Sequence, residues 1–147
     1  MKKTSLLIVG RKEKIDLPEL DLYEIDAKID TGAYSSSLHC HNLTQEGDKV
    51  RFKILDPSHA QYNHKEFVLP IEFEKTVKNS SGESEKRIFI KTTIALFDQH
   101  FEISLSLTNR SKMKYPLLLG RKALRHRFIV NAAEENLSYK YKLGVQS

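Results

Sequence analysis

The sequence contains little of what marks secreted, disulfide-bonded or membrane-spanning proteins. It has a single cysteine in 147 residues, so no intrachain disulfide framework can form. The first residues resemble a signal peptide, but the apolar run at 6–9 is shorter than the roughly 7–15 residues of a secretory core. No apolar run approaches the roughly 20 residues of a membrane helix. We therefore expect a cytoplasmic protein, in a reducing compartment and away from membranes.

The sequence also lacks the short motifs that bind zinc or nucleotides. It contains no His-Glu-x-x-His, no Gly-x-x-x-x-Gly-Lys-Ser/Thr and no Gly-x-Gly-x-x-Gly. His39 and His41 would share one face of a strand, but zinc needs about three or four ligands and nothing nearby completes the set. The segment 120–122 is interpreted as a strand-to-helix turn rather than a phosphate site. We expect neither a metal nor a cofactor.

Acidic residues are missing from one long segment of a chain whose formal net charge is +5. Residues 109–128 contain seven lysines or arginines and no Asp or Glu. Such a segment creates a positive potential that attracts acidic partners. The alternative is an ordinary solvated surface with unevenly mixed charge. Nucleic acid is the weaker candidate, because the segment offers only Tyr115 and Phe128 for stacking on bases.

What the sequence has in abundance is alternation of apolar and polar residues. The pattern occurs at 23–30, 50–54, 101–107 and 137–143. Each of these segments predicts a half-buried β-strand. A turn is expected near Asp98 and Gln99, an edge strand at Pro70 and an exposed hairpin tip at 78–85. One short helix is expected after Gly120. The chain therefore predicts a single, mostly β domain over residues 1–147, with a closed or folded-over sheet.

Asp30, Thr31 and Gly32 stand where the strand at 23–30 ends. Thr31 can hydrogen-bond nearby backbone groups, and Gly32 permits conformations that a side chain would oppose. A carboxylate held rigidly in such a loop can act as a general base toward water. The tripeptide occurs once, so a second carboxylate to share the proton would have to come from a twofold dimer. Taken alone, the tripeptide is also a common turn signal.

Several separated motifs resemble those of one protein family. The segment KIDTGAYSSSLH resembles the active-site loop of retropepsin-like aspartic proteases, and more closely that of a bacterial family also labelled ATP-dependent zinc proteases. GRKEKIDLPEL, SSGESEKRIFIKTTIAL and LTNRSKMKYPLLLGRKALRHRFIVN resemble the other motifs of that family, in the expected order. The resemblance covers nearly the whole chain, and separated motifs at consistent spacing are more specific than one tripeptide.

The resemblance implies a mostly β, retropepsin-like closed β-barrel with one short C-terminal helix. It implies a homodimeric aspartic-type endopeptidase in which paired Asp30 carboxylates activate water, while Thr31, Gly32 and Ala33 support the loop. The implied substrate-binding residues, in the loop, a flap-like hairpin and the helix start, are Tyr34, Ser80, Ser81, Gly82 and Arg121. Related genes are associated with an enzyme that adds glutamates to ribosomal protein S6, which implies trimming of acidic, glutamate-rich tails.

Two departures from the family pattern and a rival interpretation accompany the resemblance. Tyr34 stands where family members commonly have arginine, and Asn131 stands where the C-terminal strand often ends in aspartate. Neither change affects Asp30. The rival is a noncatalytic β module that binds an acidic partner such as ribosomal RNA or a ribosomal protein. It predicts salt-sensitive binding and no loss when Asp30 becomes Asn. A retained fold with an inactive site is a further alternative.

Overall fold

The computed structural model of the chain describes residues 6–55, 62, 64–78, 81–109 and 114–144. These residues form eleven strands and two short α-helices. The strands are β1 (Leu7–Val9), β2 (Lys12–Leu17), β3 (Leu22–Ile29), β4 (Ser36–Glu46), β5 (Lys49–Ile54), β6 (Glu66–Pro70), β7 (Phe73–Lys78), β8 (Ser84–Leu96), β9 (Gln99–Thr108), β10 (Leu117–Leu119) and β11 (Phe128–Val130). The helices are α1 (Arg121–Leu124) and α2 (Leu137–Lys142), and a 3-10 turn spans Pro18–Leu20.

Six of the strands form a closed barrel. They follow one another around it in the order β3, β2, β8, β9, β4 and β10. β10 closes the ring because it pairs in parallel with β3 and antiparallel with β4. β5 and β6 extend the sheet beyond β4, β7 pairs with β8, and β1 and β11 form a separate parallel pair. The expected mostly β, closed, retropepsin-like barrel is confirmed.

The core of the barrel and of the sheet that extends it is formed by the apolar residues of the alternating segments. Every second residue of a strand faces the same side of its sheet, so alternation places one set of side chains inside. In β5, Val50, Phe52 and Ile54 are buried, and in β9 Ile103 and Leu105 are buried. Other fully buried side chains are Ile15, Leu17, Ile25, Leu38, Ile90, Ile94, Leu117 and Leu119. The sequence pattern therefore predicts the core correctly for these strands.

The predicted turns are present. Phe97 and Asp98 have φ of 54° and 62° and form the two-residue connection between β8 and β9, in which Leu96 faces Gln99. Two consecutive residues with positive φ are typical of the type I′ turn, whose twist suits a hairpin. Pro70 ends β6 at the edge of the sheet, where its missing N–H costs no ladder hydrogen bond.

The prediction of a strand at 137–143 is wrong, because residues 137–142 form α2. The described residues therefore form two short α-helices rather than the one expected. The cause is Glu13, which lies on β2 and is fully buried. Its carboxylate accepts hydrogen bonds from the N–H groups of Leu137 and Ser138 at 3.1 and 2.9 Å. A carboxylate at a helix N-terminus satisfies N–H groups that would otherwise lack partners, and this one comes from far away in the sequence.

Candidate active site

Asp30 lies at the carboxyl end of β3, beside the end of β10. Its backbone N–H donates to the carbonyl oxygen of Leu119 at 2.9 Å, which continues the parallel pairing of β3 with β10. Its carbonyl oxygen accepts from Ala33 N–H at 3.3 Å, closing a turn over Thr31 and Gly32. The backbone of Asp30 is thus held by the barrel on one side and by its own turn on the other.

The Asp30 carboxylate is oriented by the glycine of the tripeptide. Gly32 N–H donates to Asp30 Oδ1 at 3.0 Å. A Cβ at position 32 would lie 3.2 Å from the same oxygen, so a larger residue would crowd the carboxylate. Within the described part of the chain, Asp30 Oδ2 accepts no hydrogen bond. One oxygen is therefore fixed while the other remains available to a water or to a second carboxyl group.

The loop after Asp30 rests on the junction between β10 and α1. Arg121 N–H donates to Ala33 O at 2.8 Å and Lys122 N–H donates to Tyr34 O at 3.0 Å. Gly120 N–H donates to the Ser36 hydroxyl at 3.1 Å in a buried position. The first amides of α1 are thus satisfied by loop carbonyls, in agreement with the interpretation of 120–122 as a strand-to-helix turn.

The Arg121 side chain spans the loop. Its Nη1 donates to Thr31 O at 2.9 Å, and its guanidinium lies 5.8 Å from the centre of the Tyr34 ring. The Arg125 guanidinium lies at the same distance from that ring, within the range of cation–π attraction. Tyr34 therefore has two guanidinium groups beside it, and both cations are engaged with the loop.

A cleft of about 490 Å³ adjoins the loop. Loop residues Tyr34, Ser35 and Ser36 form one side of it. The remaining lining residues come from β7, β8, β9 and α1: Phe73, Lys75, Phe89, Lys91, Glu102, Ile103, Ser104 and Lys122. Asp30 is not part of the lining, so the cleft adjoins the loop through Tyr34 and Ser35 and not through the carboxylate.

The structure brings together some of the predicted site residues and separates others. Asp30, Thr31, Gly32, Ala33, Tyr34 and Arg121 form one contiguous group. Ser81 and Gly82 are exposed at the tip of the β7–β8 hairpin and do not line the cleft. Ser80 lies outside the described residues. A flap role for the tip stays a prediction.

The sequence motifs do not identify the lysines and phenylalanines that line the cleft. Lys75 and Lys91 each lie two residues from a phenylalanine and share its strand face, and Lys122 is one of seven cations in 109–128. The sequence signal for this cleft is a spacing of two residues, which puts each phenylalanine on the same strand face as a lysine: Phe73 with Lys75 and Phe89 with Lys91. The pairing of Phe73 with Phe89 then places all four on one face, which requires knowledge of the register.

The described residues do not suit the zinc of the family label. Among them, no group of three or more His, Cys, Asp or Glu side chains is close enough to hold a metal ion. His39 and Cys40 are buried, and His41 Nδ1 hydrogen-bonds the carbonyl oxygen of Leu55. Burial raises the pKa of the Cys40 thiol to about 12, and a weaker hydrogen bond with the Thr108 backbone acts in the opposite direction. A thiol that stays protonated is a poor zinc ligand.

A closed six-stranded barrel with an Asp-Thr-Gly loop beside its closing strand defines a retropepsin-like protein. The chain belongs to the RimB-like family, whose model is described as "Retropepsin-like aspartic endopeptidase RimB" and matches residues 8–141. This match confirms the resemblance found in the sequence motifs. The barrel and the loop geometry are therefore those of a family named for aspartic endopeptidases.

Curated relatives carry a different name. A protein of Shewanella pealeana is 36% identical over 135 residues, and one of Parasynechococcus marenigrum is 37% identical over 133 residues. Both are called "Probable alpha-L-glutamate ligase". The matches cover 86% and 87% of this chain but only 29% and 28% of those proteins. The chain thus spans less than a third of the length of these relatives.

A solved structure has the same fold. The crystal structure of the Legionella pneumophila protein Lpg0085, of unknown function (DUF785), superposes with a TM-score of 0.72 at 32% identity. The match covers 91% of this chain and 99% of that protein. The likeness therefore extends over the whole barrel.

Proposed function

We propose that the protein is an aspartic-type peptidase that works as a homodimer. Two Asp30 carboxyl groups would face each other across a twofold axis and share one proton. The ionised carboxylate takes a proton from water as the water oxygen attacks the amide carbon, and the protonated partner gives its proton to the carbonyl oxygen. The carboxyl group that took the water proton then passes it to the leaving nitrogen, a hydroxyl proton of the tetrahedral intermediate returns to the other carboxylate, and the C–N bond breaks.

The observation that carries this proposal is the way in which Asp30 is held. Its backbone is fixed by Leu119, its Oδ1 is fixed by Gly32, and its Oδ2 has no partner among the described residues. Thr31 and Gly32 are exposed at the surface of the single chain, so a second copy can approach the loop directly. A preorganised carboxylate with a free oxygen is the arrangement that acid–base catalysis requires.

The proposed substrate is an acidic, glutamate-rich polypeptide segment, such as a tail on a ribosomal protein. Two observations support it. The curated relatives are named for glutamate ligation, and the net charge of +5 attracts acidic chains. The proposed location is the cytoplasm, where a buried free thiol such as Cys40 persists. Among the described residues no helix is long and apolar enough to cross a bilayer.

The experiment is the exchange Asp30→Asn, tested on a glutamate-tailed peptide by mass spectrometry. We expect Asp30→Asn to abolish cleavage, because an amide cannot take up the proton of the attacking water. Asp48→Asn is the matched control, since Asp48 is an exposed turn residue and the exchange alters charge equally. Cleavage that survives in Asp30→Asn would overturn the proposal.

A second candidate follows from the names and lengths of the relatives. Because the chain matches under a third of proteins named for glutamate ligation, it corresponds to one portion of them. That portion can serve as a noncatalytic module that holds the acidic substrate. This candidate predicts salt-sensitive binding of a glutamate-rich peptide, no cleavage by the wild-type protein, and equal affinity for wild type and Asp30→Asn.

A further inference from the structure

The cleft beside the Asp30 loop has an aromatic floor. Phe73 of β7 faces Phe89 of β8 in the strand register, and their rings stack with centroids 4.4 Å apart and planes inclined by 15°. Phe89 is buried, whereas Phe73 keeps 38% of its surface exposed. Phe73 thus offers an apolar surface on which the methylene groups of a substrate side chain can pack.

Three lysines, each from a different strand or helix, surround this aromatic floor. Lys75 comes from β7, Lys91 from β8 and Lys122 from α1. Lys122 Nζ lies 6.0 Å from the centre of the Phe73 ring, which places the ammonium group above the floor. Among the described residues that line the cleft, Glu102 is the only acidic one, so the positive charges of this lining outnumber the negative ones.

The three lysines differ in whether their charge is compensated. Lys91 Nζ lies 3.6 Å from Glu72 Oε2, and that carboxylate also accepts from the Ser104 hydroxyl at 2.5 Å. For Lys75 and Lys122 the described part of the chain offers no carboxylate within ion-pair distance. These two ammonium groups therefore provide uncompensated positive charge next to an apolar surface.

The two arginines nearest the loop are engaged elsewhere. Arg121 donates to Thr31 O, and Arg121 and Arg125 both lie beside the Tyr34 ring. Using either to bind a substrate carboxylate would weaken contacts that hold the catalytic loop. The cations near the loop thus divide into a pair that positions the loop and a pair that faces the cleft.

We infer that Lys75 and Lys122 set the preference of this cleft for glutamate side chains, while Arg121 is a positioning residue of the Asp30 loop. The inference rests on the proposed function and deepens it. A glutamate fits both parts of the cleft, because its methylenes can lie on Phe73 while its carboxylate meets the ammonium groups. Aspartate, one methylene shorter, is expected to bind less well, and glutamine loses the charge.

The test measures binding separately from turnover. Fluorescence anisotropy, in the Asp30→Asn background, would follow a labelled glutamate-rich peptide and a matched peptide with every Glu replaced by Gln. We expect K75Q/K122Q to weaken binding of the Glu peptide about tenfold and to leave the Gln peptide unchanged. K49Q/K114Q is the control, because it removes two exposed lysines that do not line the cleft and lowers the net charge equally. It should change affinity for the Glu peptide less than about twofold.

Turnover in the wild-type background separates this inference from the proposed function. K75Q/K122Q should lower kcat/KM for the Glu peptide alone, whereas Arg121→Gln should lower it for both peptides in proportion. Equal losses in K75Q/K122Q and in K49Q/K114Q, or no loss in either, would overturn the lysine inference even if the protein is a peptidase. Lysine-dependent binding with no cleavage by the wild-type protein would overturn the peptidase and leave the inference standing.

Discussion

Gly120 is the residue whose size matters most for the candidate site. A Cβ at this position would lie 2.5 Å from Ser35 O, 2.7 Å from Tyr34 O and 2.8 Å from Ala33 O. Its φ of −95° is open to any residue, so the requirement for glycine comes from close packing and not from backbone conformation. The Asp30 loop can lie directly on the β10–α1 junction only because position 120 has no side chain.

We expect Gly120→Ala to destabilise the protein by about 3 kcal/mol and to reduce peptidase activity by displacing the Asp30 loop. Unfolding in urea and cleavage assays would measure both effects. Gly82→Ala is the comparison, because Gly82 has φ of 87° but no atom of the described residues lies within 4 Å of its Cβ position. That exchange should cost about 1 kcal/mol through backbone strain alone. Equal costs for the two exchanges would show that the packing argument is wrong.

The sequence identifies Asp30 at the residue scale but not its cationic surroundings. The tripeptide and its flanking motifs are local signals, which reading along the chain can detect. Lys75 and Lys122 are far apart in sequence and line the same cleft only because β7 pairs with β8 and α1 follows β10. No local sequence pattern reveals the pairing of β7 with β8 or the position of α1, so the sequence does not distinguish these two residues from ordinary surface lysines.

Glu13 determines the structure of an element to which it does not belong. Its carboxylate accepts from the N–H groups of Gly10, Leu137 and Ser138 at 2.7, 3.1 and 2.9 Å. The buried charge is thus compensated by three donors, two of them at the start of α2. Alternation in 137–143 predicts a strand because periodicity reports only on local pattern, whereas this helix is started by a residue of β2.

We expect Glu13→Gln to unfold α2 locally and to lower the free energy of unfolding by about 3 kcal/mol. The amide would place an NH₂ group against at least one buried N–H. Hydrogen exchange at the amides of 137–142 would detect the local effect, and urea titration the global one. Glu85→Gln, at an exposed position of β8, serves as the control. Unchanged exchange rates in α2 would refute the assignment of Glu13 as its distant cap.

Strands are the elements that the sequence predicts best. β5 buries every second residue because one of its faces packs on the core, and such a pattern can be read without knowledge of the partner strand. β9 alternates only as far as Leu105, since Ser106 and Thr108 are buried as well. Closure by β10 was not predictable in the same way. A three-residue apolar segment carries no information on which strands it joins, since register depends on partners elsewhere.

The proposed mechanism makes a specific demand on the whole molecule. One chain supplies one Asp30, so a competent site needs two intact copies. When wild-type and Asp30→Asn proteins are mixed and exchange subunits, homodimers of both kinds and heterodimers form. Each heterodimer carries only one of the two Asp30 carboxyl groups. At constant total protein, we expect an equal mixture to retain about a quarter of the total activity of undiluted wild-type protein, which is about half the activity per wild-type chain.

Activity in such mixtures, measured at constant total protein, tests the dimer directly. A dependence on the square of the wild-type fraction supports a shared site. Simple proportionality to the wild-type fraction would mean that each chain works alone, and the paired-carboxylate mechanism would then be wrong. Sedimentation velocity of the same samples would verify that the chains associate and exchange.

The position of β10 late in the sequence determines when, during synthesis, the Asp30 site can form. Leu117 and Leu118 bond to β3 and β4, which a ribosome delivers long before it reaches them. A nascent chain that ends before these leucines already contains Asp30, Thr31 and Gly32, but it lacks β10, to which the Asp30 backbone hydrogen-bonds. Such distant contacts also slow folding. On the proposed mechanism, the Asp30 loop therefore reaches its final position only after residues 117–119 have left the ribosome and paired with β3 and β4.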